Sequence, residues 1–250
     1  MKALITGASS GIGRDMACEL AKRGYSLVLV ARRKEKLEEL SGSLECECEV
    51  ISCDLSEKNN CLDLYEKVKN SGIDVLINCA GFGIFGNFTD LDLDKEISMI
   101  NTNITALHIL TKLFLRDFVK KDCGYILNVA SSASFAPGPM LSSYYASKAY
   151  VFRLTEAIWE ELKRKGSNVC ISVLCPGPVD TEFNSVANVN FTVGSLESKY
   201  VAKYAIDCLF KRKRIIVPGF KMKFARLGSK LLPERLLAKI TYNFQKKKIR

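Results

Sequence analysis

The order of apolar runs along the chain points to an α/β protein built on a doubly wound parallel sheet. Short apolar stretches alternate with amphipathic helical patterns from residue 2 to residue 217. The first stretch ends in a Gly/Ser cluster that opens a helix. No Pro/Gly/Ser-rich linker and no internal repeat interrupts the alternation. Strands that are apolar almost throughout, separated by helices, belong to a sheet covered on both faces. Right-handed crossovers leave few ways to join them, and the doubly wound order leads among those.

Residues 2–6 (KALIT) form the first short apolar run. Residues 12–23 carry Met16, Ala17 and Leu20 on one helical face. Residues 26–31 (SLVLVA) are rich in strand formers, and 34–40 read as a charged amphipathic helix. Further strands are expected at 49–53, 75–78, 125–129 and 169–174, each bounded by turn or polar residues. Helical patterns cover 57–69, 97–120 and 143–165. A helix at 197–210 leads to a last strand at 214–217. Residues 1–218 therefore read as one domain, and 219–250 as a helical appendage of it. In that appendage Phe220, Phe224, Leu227 and Leu231 recur at helical spacing, as do Leu236, Ile240 and Phe244. Pro233 is expected to separate two short helices.

Composition narrows the chemistry. The chain has 250 residues, 48% apolar and 26% charged, enough for a substantial core without disulfides or metals. A single histidine, His108, excludes multi-histidine metal sites. The ten cysteines form no CxxC pair, so no zinc ribbon is readable and no metal is expected. Cys46, Cys48 and Cys53 come nearest to a cluster, but their alternation suits a strand with one buried face. A reducing, cytoplasmic setting follows. No targeting segment and no run of ~18 apolar residues is visible. The net charge of +10 is uneven. Residues 209–250 hold 14 Lys+Arg and one acid, Glu234. Such a basic tail suits an anionic partner.

The loop after the first strand reads Thr6-Gly7-Ala8-Ser9-Ser10-Gly11-Ile12-Gly13. Glycines permit a tight turn and close approach of the backbone to a pyrophosphate. The following helix N-terminus adds free N–H groups. The spacing is GxxxGxG, and its place between strand and helix supports dinucleotide binding. At the end of the second strand an acid would favour NAD, by binding ribose hydroxyls. The chain has Arg32 and Arg33 there. A guanidinium suits a 2′-phosphate, so NADP(H) is expected, with Arg32 the preferred contact and Arg33 the second. Both arginines are also compatible with a solvated helix start.

Tyr144 and Lys148 are four apart in a helical pattern and share a face. A nearby ammonium stabilises phenolate, which would make tyrosine a usable general acid–base near neutral pH. Ser131, thirteen positions earlier and just past an apolar strand, could hydrogen-bond a substrate oxygen. YxxxK on its own also fits a solvated helix face.

Taken jointly, TGASSGIG at 6–13, NCAG at 78–81, Ser131, YYASK at 144–148 and PGPVDTEF at 176–183 resemble the short-chain dehydrogenase/reductase family. The likeness runs from residue 1 to about residue 210, in the family's order and spacing. It implies a Rossmann-type sheet of seven strands and nicotinamide-dependent hydride transfer between a carbonyl and an alcohol.

Carried over by position, the resemblance makes Tyr144 the acid–base, with Tyr145 a rival outside the YxxxK spacing. Lys148 would lower the tyrosine pKa and bind the nicotinamide ribose. Ser131 would orient the oxygen, with Ser132 adjacent. Asn103 would hold a proton-relay water, with Asn101 a rival; Ala106 replaces the glycine usual in that motif. Gly7, Ser9, Ser10, Gly11, Ile12 and Gly13 match the pyrophosphate loop, and Asp54 the adenine contact. Asn78, Ala80 and Gly81 match the segment after the fourth strand, where Cys79 departs from the usual asparagine. Pro176, Gly177, Val179 and Thr181 match the segment beside the carboxamide. Tyr144 and Lys148 also border the cofactor.

Candidate pocket residues are apolar: Phe82, Phe85, Phe135, Pro137, Met140 and the stretch 183–193. They suit a hydrophobic aldehyde or ketone, although several are also compatible with core or interface positions. A homodimer or homotetramer is expected. The basic amphipathic tail suits peripheral contact with an anionic membrane, or packing on the protein itself. No nucleic-acid partner is expected. The competing reading from another class is a non-catalytic NADP(H)-binding or scaffold protein of the same fold.

Overall fold

The computed structural model describes residues 1–183 and 194–246. Seven parallel strands form the main sheet: β1 (Lys2–Thr6), β2 (Ser26–Ala31), β3 (Cys48–Ser52), β4 (Ile73–Asn78), β5 (Tyr125–Val129), β6 (Cys170–Leu174) and β9 (Ile215–Ile216). Their spatial order is β3-β2-β1-β4-β5-β6-β9. This is the Rossmann-type doubly wound sheet that the alternation of runs predicts. Two short strands absent from the sequence reading, β7 (Val179–Asp180) and β8 (Leu196–Glu197), pair parallel beside it.

Period-two geometry sorts even a continuous apolar run between two faces. In β1, Ala3 and Ile5 point to one side, where they meet Met16, Ala17 and Leu20 of α1 (Gly11–Ala21). Leu37 and Leu40 of α2 (Lys34–Gly42) and Val201, Ala205 and Leu209 of α7 (Ser198–Phe210) complete that layer. Leu4 points the other way, into a layer with Cys61, Leu64 and Val68 of α3 (Lys58–Val68). Leu110, Phe114 and Phe118 of α5 (Leu107–Lys121) fill the same layer. Leu162 of α6 (Ser142–Arg164) closes it.

The helix expected at 97–120 is present and continuous, with one widened stretch inside it. α4 (Leu93–Ile100) passes into a π-helical stretch, Asn101–Ala106, before α5 begins. Wider turns of this kind are rare and concentrate at functional sites. At the C-terminal end, α8 (Phe220–Leu231) and α9 (Glu234–Lys246) are separated at Leu232-Pro233, as the proline predicts. Both fold back onto the body. Thr241 donates its hydroxyl to the Pro137 carbonyl at 2.7 Å, and Gln245 Nε2 donates to the Tyr145 hydroxyl at 2.8 Å. Among the described residues no helix is long and apolar enough to cross a membrane.

Strand order reverses at β1: the chain moves outward to β2 and β3, then crosses back to β4, β5 and β6. The crevice at the C-terminal ends of β1 and β4 is therefore where such a sheet leaves room for a ligand.

Phe114 packs edge-on to Tyr65 at 5.5 Å and against Phe118 at 6.1 Å, inside the layer that carries α5. Phe114→Ala should lower the unfolding free energy by about 3–5 kcal/mol, read as a reduced urea midpoint.

Candidate active site

A cavity of about 820 Å³ opens at that crevice. Its floor is the loop after β1. Gly7 has φ +70°, and a Cβ there would lie 2.9 Å from the Ala80 backbone. A Cβ on Gly13 would lie 2.4 Å from the Gly7 carbonyl oxygen. Side chains are thus shut out of the turn, and the backbone itself forms the cradle. The α1 N-terminus behind it has no acid in its first turn, and Ser10 makes no side-chain cap. An anion would meet N–H groups and positive dipole there without competition. The residues fit a dinucleotide pyrophosphate. Thr6 secures the neighbouring loop, because its hydroxyl accepts the N–H groups of Cys79 (3.0 Å) and Ala80 (3.1 Å).

At the adenosine end Arg33 Nη2 lies 3.1 Å from both the Ser9 and Ser10 hydroxyls. The same nitrogen is 2.8 Å from Glu182, which also pairs with Lys36. Lys36 and Arg33 hold the Glu182 carboxyl down at about 2. Arg32 lines the cavity too, but Arg33 is the arginine that reaches the glycine loop. Asp54 lies at the rim and accepts the Ser56 N–H at 3.0 Å.

At the other end the first turns of α6 bring Tyr144 and Lys148 to the cavity, and the turn after β5 brings Ser131. Lys148 is only 5% exposed. Its Nζ donates to the Val129 carbonyl at 3.0 Å and sits 5.8 Å from the Tyr144 ring centre. Burial drags the lysine down to about 8. Burial pushes the Tyr144 phenol up to about 12, opposed by its hydrogen bond with Ser131. In the free cleft the loss of hydration governs the phenol, and the neighbouring Tyr145 acts in the same direction. The ammonium lies over the ring, bonded to a carbonyl, while the phenol loses hydration. Tyr144 therefore keeps its proton through the neutral range.

Gly7, Ser9, Ser10, Gly11, Ile12, Gly13, Ala80, Gly81, Pro176, Gly177, Val179 and Thr181 all line the same cavity. Two predicted residues do not. Asn78 turns beneath the sheet, where its Nδ2 donates to Thr111 (3.0 Å) and to Asn128 Oδ1 (2.9 Å). Asn128 in turn donates to Thr155 at 3.0 Å, so the network ties β4 and β5 to α5 and α6. Asn103, in the π-helical stretch, is fully buried. Its Nδ2 donates to the Phe82 carbonyl (2.9 Å) and Ser147 hydroxyl (3.0 Å), and its Oδ1 accepts the Phe82 N–H (3.1 Å). A Cβ on Gly81 would lie 2.8 Å from Asn103 Oδ1 and 3.2 Å from Lys148 Nζ, so both polar atoms face one spot.

Of the expected pocket residues, Phe82, Phe135 and Phe183 line the cavity. Phe85, Pro137 and Met140 stand outside the lining; the Met140 carbonyl instead accepts the Gly86 N–H at 2.9 Å. Residues 184–193 lie outside the described part of the chain. The sequence reading missed the wall made by the tail, where Met222, Ala225, Leu237 and Ile240 face inward. Ile240 and Phe244 stand in the periodic pattern read from the tail, whereas Met222, Ala225 and Leu237 lie on a second apolar face. Thr6, Ser147 and Glu182 were also missed, although each lies inside one of the quoted motifs, at 6–13, 144–148 and 176–183.

The short chain dehydrogenase family model matches residues 1–190. The chain belongs to the short-chain dehydrogenase/reductase family of oxidoreductases. An uncharacterized oxidoreductase of Staphylococcus epidermidis is 36% identical over 182 residues, 72% of this chain and 78% of that protein. The very-long-chain 3-oxoacyl-CoA reductase-B of Danio rerio is 32% identical over 246 residues, covering 95% of this chain and 78% of its own. Among solved structures, a short-chain dehydrogenase from Sphingobium yanoikuyae in complex with NADPH superposes with a TM-score of 0.82. It is 29% identical and covers 92% of this chain and 95% of that one.

Lys148 carries a testable stability cost. Unfolded, it keeps its proton to about 10.5; folded, it releases it near 8. Stability from this group therefore rises with pH between those values and is flat below them. Lys148→Met should raise Tm at pH 7 by roughly 2–4 °C after loss of the Val129 hydrogen bond. Scanning calorimetry at pH 7 and pH 10 should show that advantage shrinking at the higher pH.

Proposed function

We propose that this protein is an NADP(H)-dependent carbonyl reductase or alcohol dehydrogenase acting on a hydrophobic substrate. The observation that carries the reading is the meeting of Ser131, Tyr144 and Lys148 in the cavity whose far end is the glycine loop. When bound, reduced nicotinamide supplies the hydride that a carbonyl carbon accepts. The chain's own residues manage the oxygen and its proton. Ser131 donates a hydrogen bond to the carbonyl oxygen and holds it against Tyr144. The Tyr144 hydroxyl donates its proton as negative charge develops there. Lys148 then faces the new phenolate and steadies it, an interaction worth most at that moment. Asn103 fixes the Phe82 backbone, and its closeness to Lys148 supports the relay-water role proposed for it. The alcohol-to-ketone direction uses the same groups in reverse.

Arg33, backed by Arg32, supports preference for the 2′-phosphate. Phe82, Phe135, Phe183, Met222 and Ile240 support an apolar substrate. The name of the Danio rerio relative describes one such ketone, a very-long-chain 3-oxoacyl-CoA. Residues 1–218 would be the catalytic domain, with 219–250 completing its substrate wall. Ten free cysteines support a cytoplasmic setting. A homodimer or homotetramer belongs to the same proposal.

Tyr144→Phe should lower NADPH-dependent turnover of a panel of apolar aldehydes and ketones by about 10²–10⁴-fold while leaving NADPH affinity nearly unchanged. Full turnover in that variant would end the assignment. Arg33→Ala should weaken NADPH binding by about tenfold or more and NADH binding little, measured by nicotinamide fluorescence titration. Arg32→Ala should have the smaller effect of the two.

A further inference from the structure

Helix α8 has two apolar faces, and only one is used by the fold. Met222, Ala225 and Ser229 line the cavity. On the outward side Phe220, Phe224, Leu227 and Leu231 follow one another at helical spacing. They are 72%, 57%, 57% and 79% exposed. Phe220 and Phe224 stack edge-on at 4.6 Å, so the stripe starts with a continuous aromatic surface. Nothing in the core depends on these four side chains.

The charges around the stripe select its occupant. Lys221 projects on one flank of the helix, and Lys223 and Lys230 on the other, at 100° per residue. Helix α9 adds exposed Arg235 and Lys239. Between 219 and 246 the chain holds seven Lys+Arg and one acid, Glu234. A second copy of this face would set cation against cation across a two-fold contact. Anionic headgroups neutralise the lysines, and the acyl region accepts the Phe and Leu side chains.

We propose that the outward face of α8 docks the protein peripherally on an anionic membrane, lying in the interface without crossing it. The opposite face of the helix walls the cavity, so docking sets the cavity rim beside the bilayer. Resting on the function proposed above, this geometry supplies the apolar carbonyl substrate from the membrane.

Flotation of the full chain tests the docking without cofactor or substrate, so its outcome is separate from that of Tyr144→Phe. Vesicles of phosphatidylcholine with about one-third phosphatidylserine should carry the protein up the gradient. Phosphatidylcholine alone should bind it about tenfold less. Phe224→Ser with Leu231→Ser should reduce binding by about tenfold or more. Lys221→Glu with Lys230→Glu should do the same, and wild-type Tm in either variant shows that folding is intact. Three results would overturn the proposal: wild type left at the bottom with both vesicles, both variants floating like wild type, or the serine variant turning a dimer into a monomer by light scattering. The last would assign the stripe to a second copy.

Discussion

An ammonium group held out of water at the end of a β-sheet is the constraint around which the rest of the cleft is arranged. Among the described residues Lys148 donates to the Val129 carbonyl and lies over a phenol ring. Charge in such a place is costly unless something negative arrives to meet it. Burial leaves neither group its hydration, so the lysine proton is loosened and the tyrosine proton tightened. Under the proposed reduction that imbalance would be an asset: the tyrosine would begin neutral, give up its proton, and only then confront the lysine as an anion.

Holding the lysine there requires α6 to be fixed from below and from the side. The buried chain of Asn78, Asn128 and Thr155 ties its underside to the central strands. Asn103 reaches Ser147 from the π-helical turn, and buried Glu96 of α4 accepts a hydrogen bond from Ser143 at the helix start. These are polar groups spent in the interior, where each must be matched to be tolerated. Their reward is a side-chain register that does not drift.

The sheet was legible because strand and helix periods differ and this chain alternates them cleanly. All seven strands of the main sheet fall where short apolar runs stand, with ends displaced by a residue or two. The glycine loop was legible because close backbone approach leaves few alternatives to glycine, as Gly7 and Gly13 show. Asn78 was misplaced because its motif says where the chain runs and not which way a side chain turns on a strand. The helix read at 97–120 is present, but its π-helical stretch was not legible, because the hydrophobic pattern hardly changes when one turn widens. The upward push on the phenol in the free cleft was not legible either: spacing places two groups on a face but does not report the water each has lost. The tail's inner face was hidden by its outer one, since Phe220 and its neighbours make the stronger periodic signal.

The tail wall has a consequence for how the molecule is assembled. Every residue of the dinucleotide cradle lies before position 182, whereas the wall formed by α8 and α9 is written after position 219. On a ribosome the growing chain therefore emerges with its cradle encoded while its chamber is still open on one side. The nucleotide groove comes from the earlier polypeptide. Enclosure of the reacting partner waits for the residues after position 219.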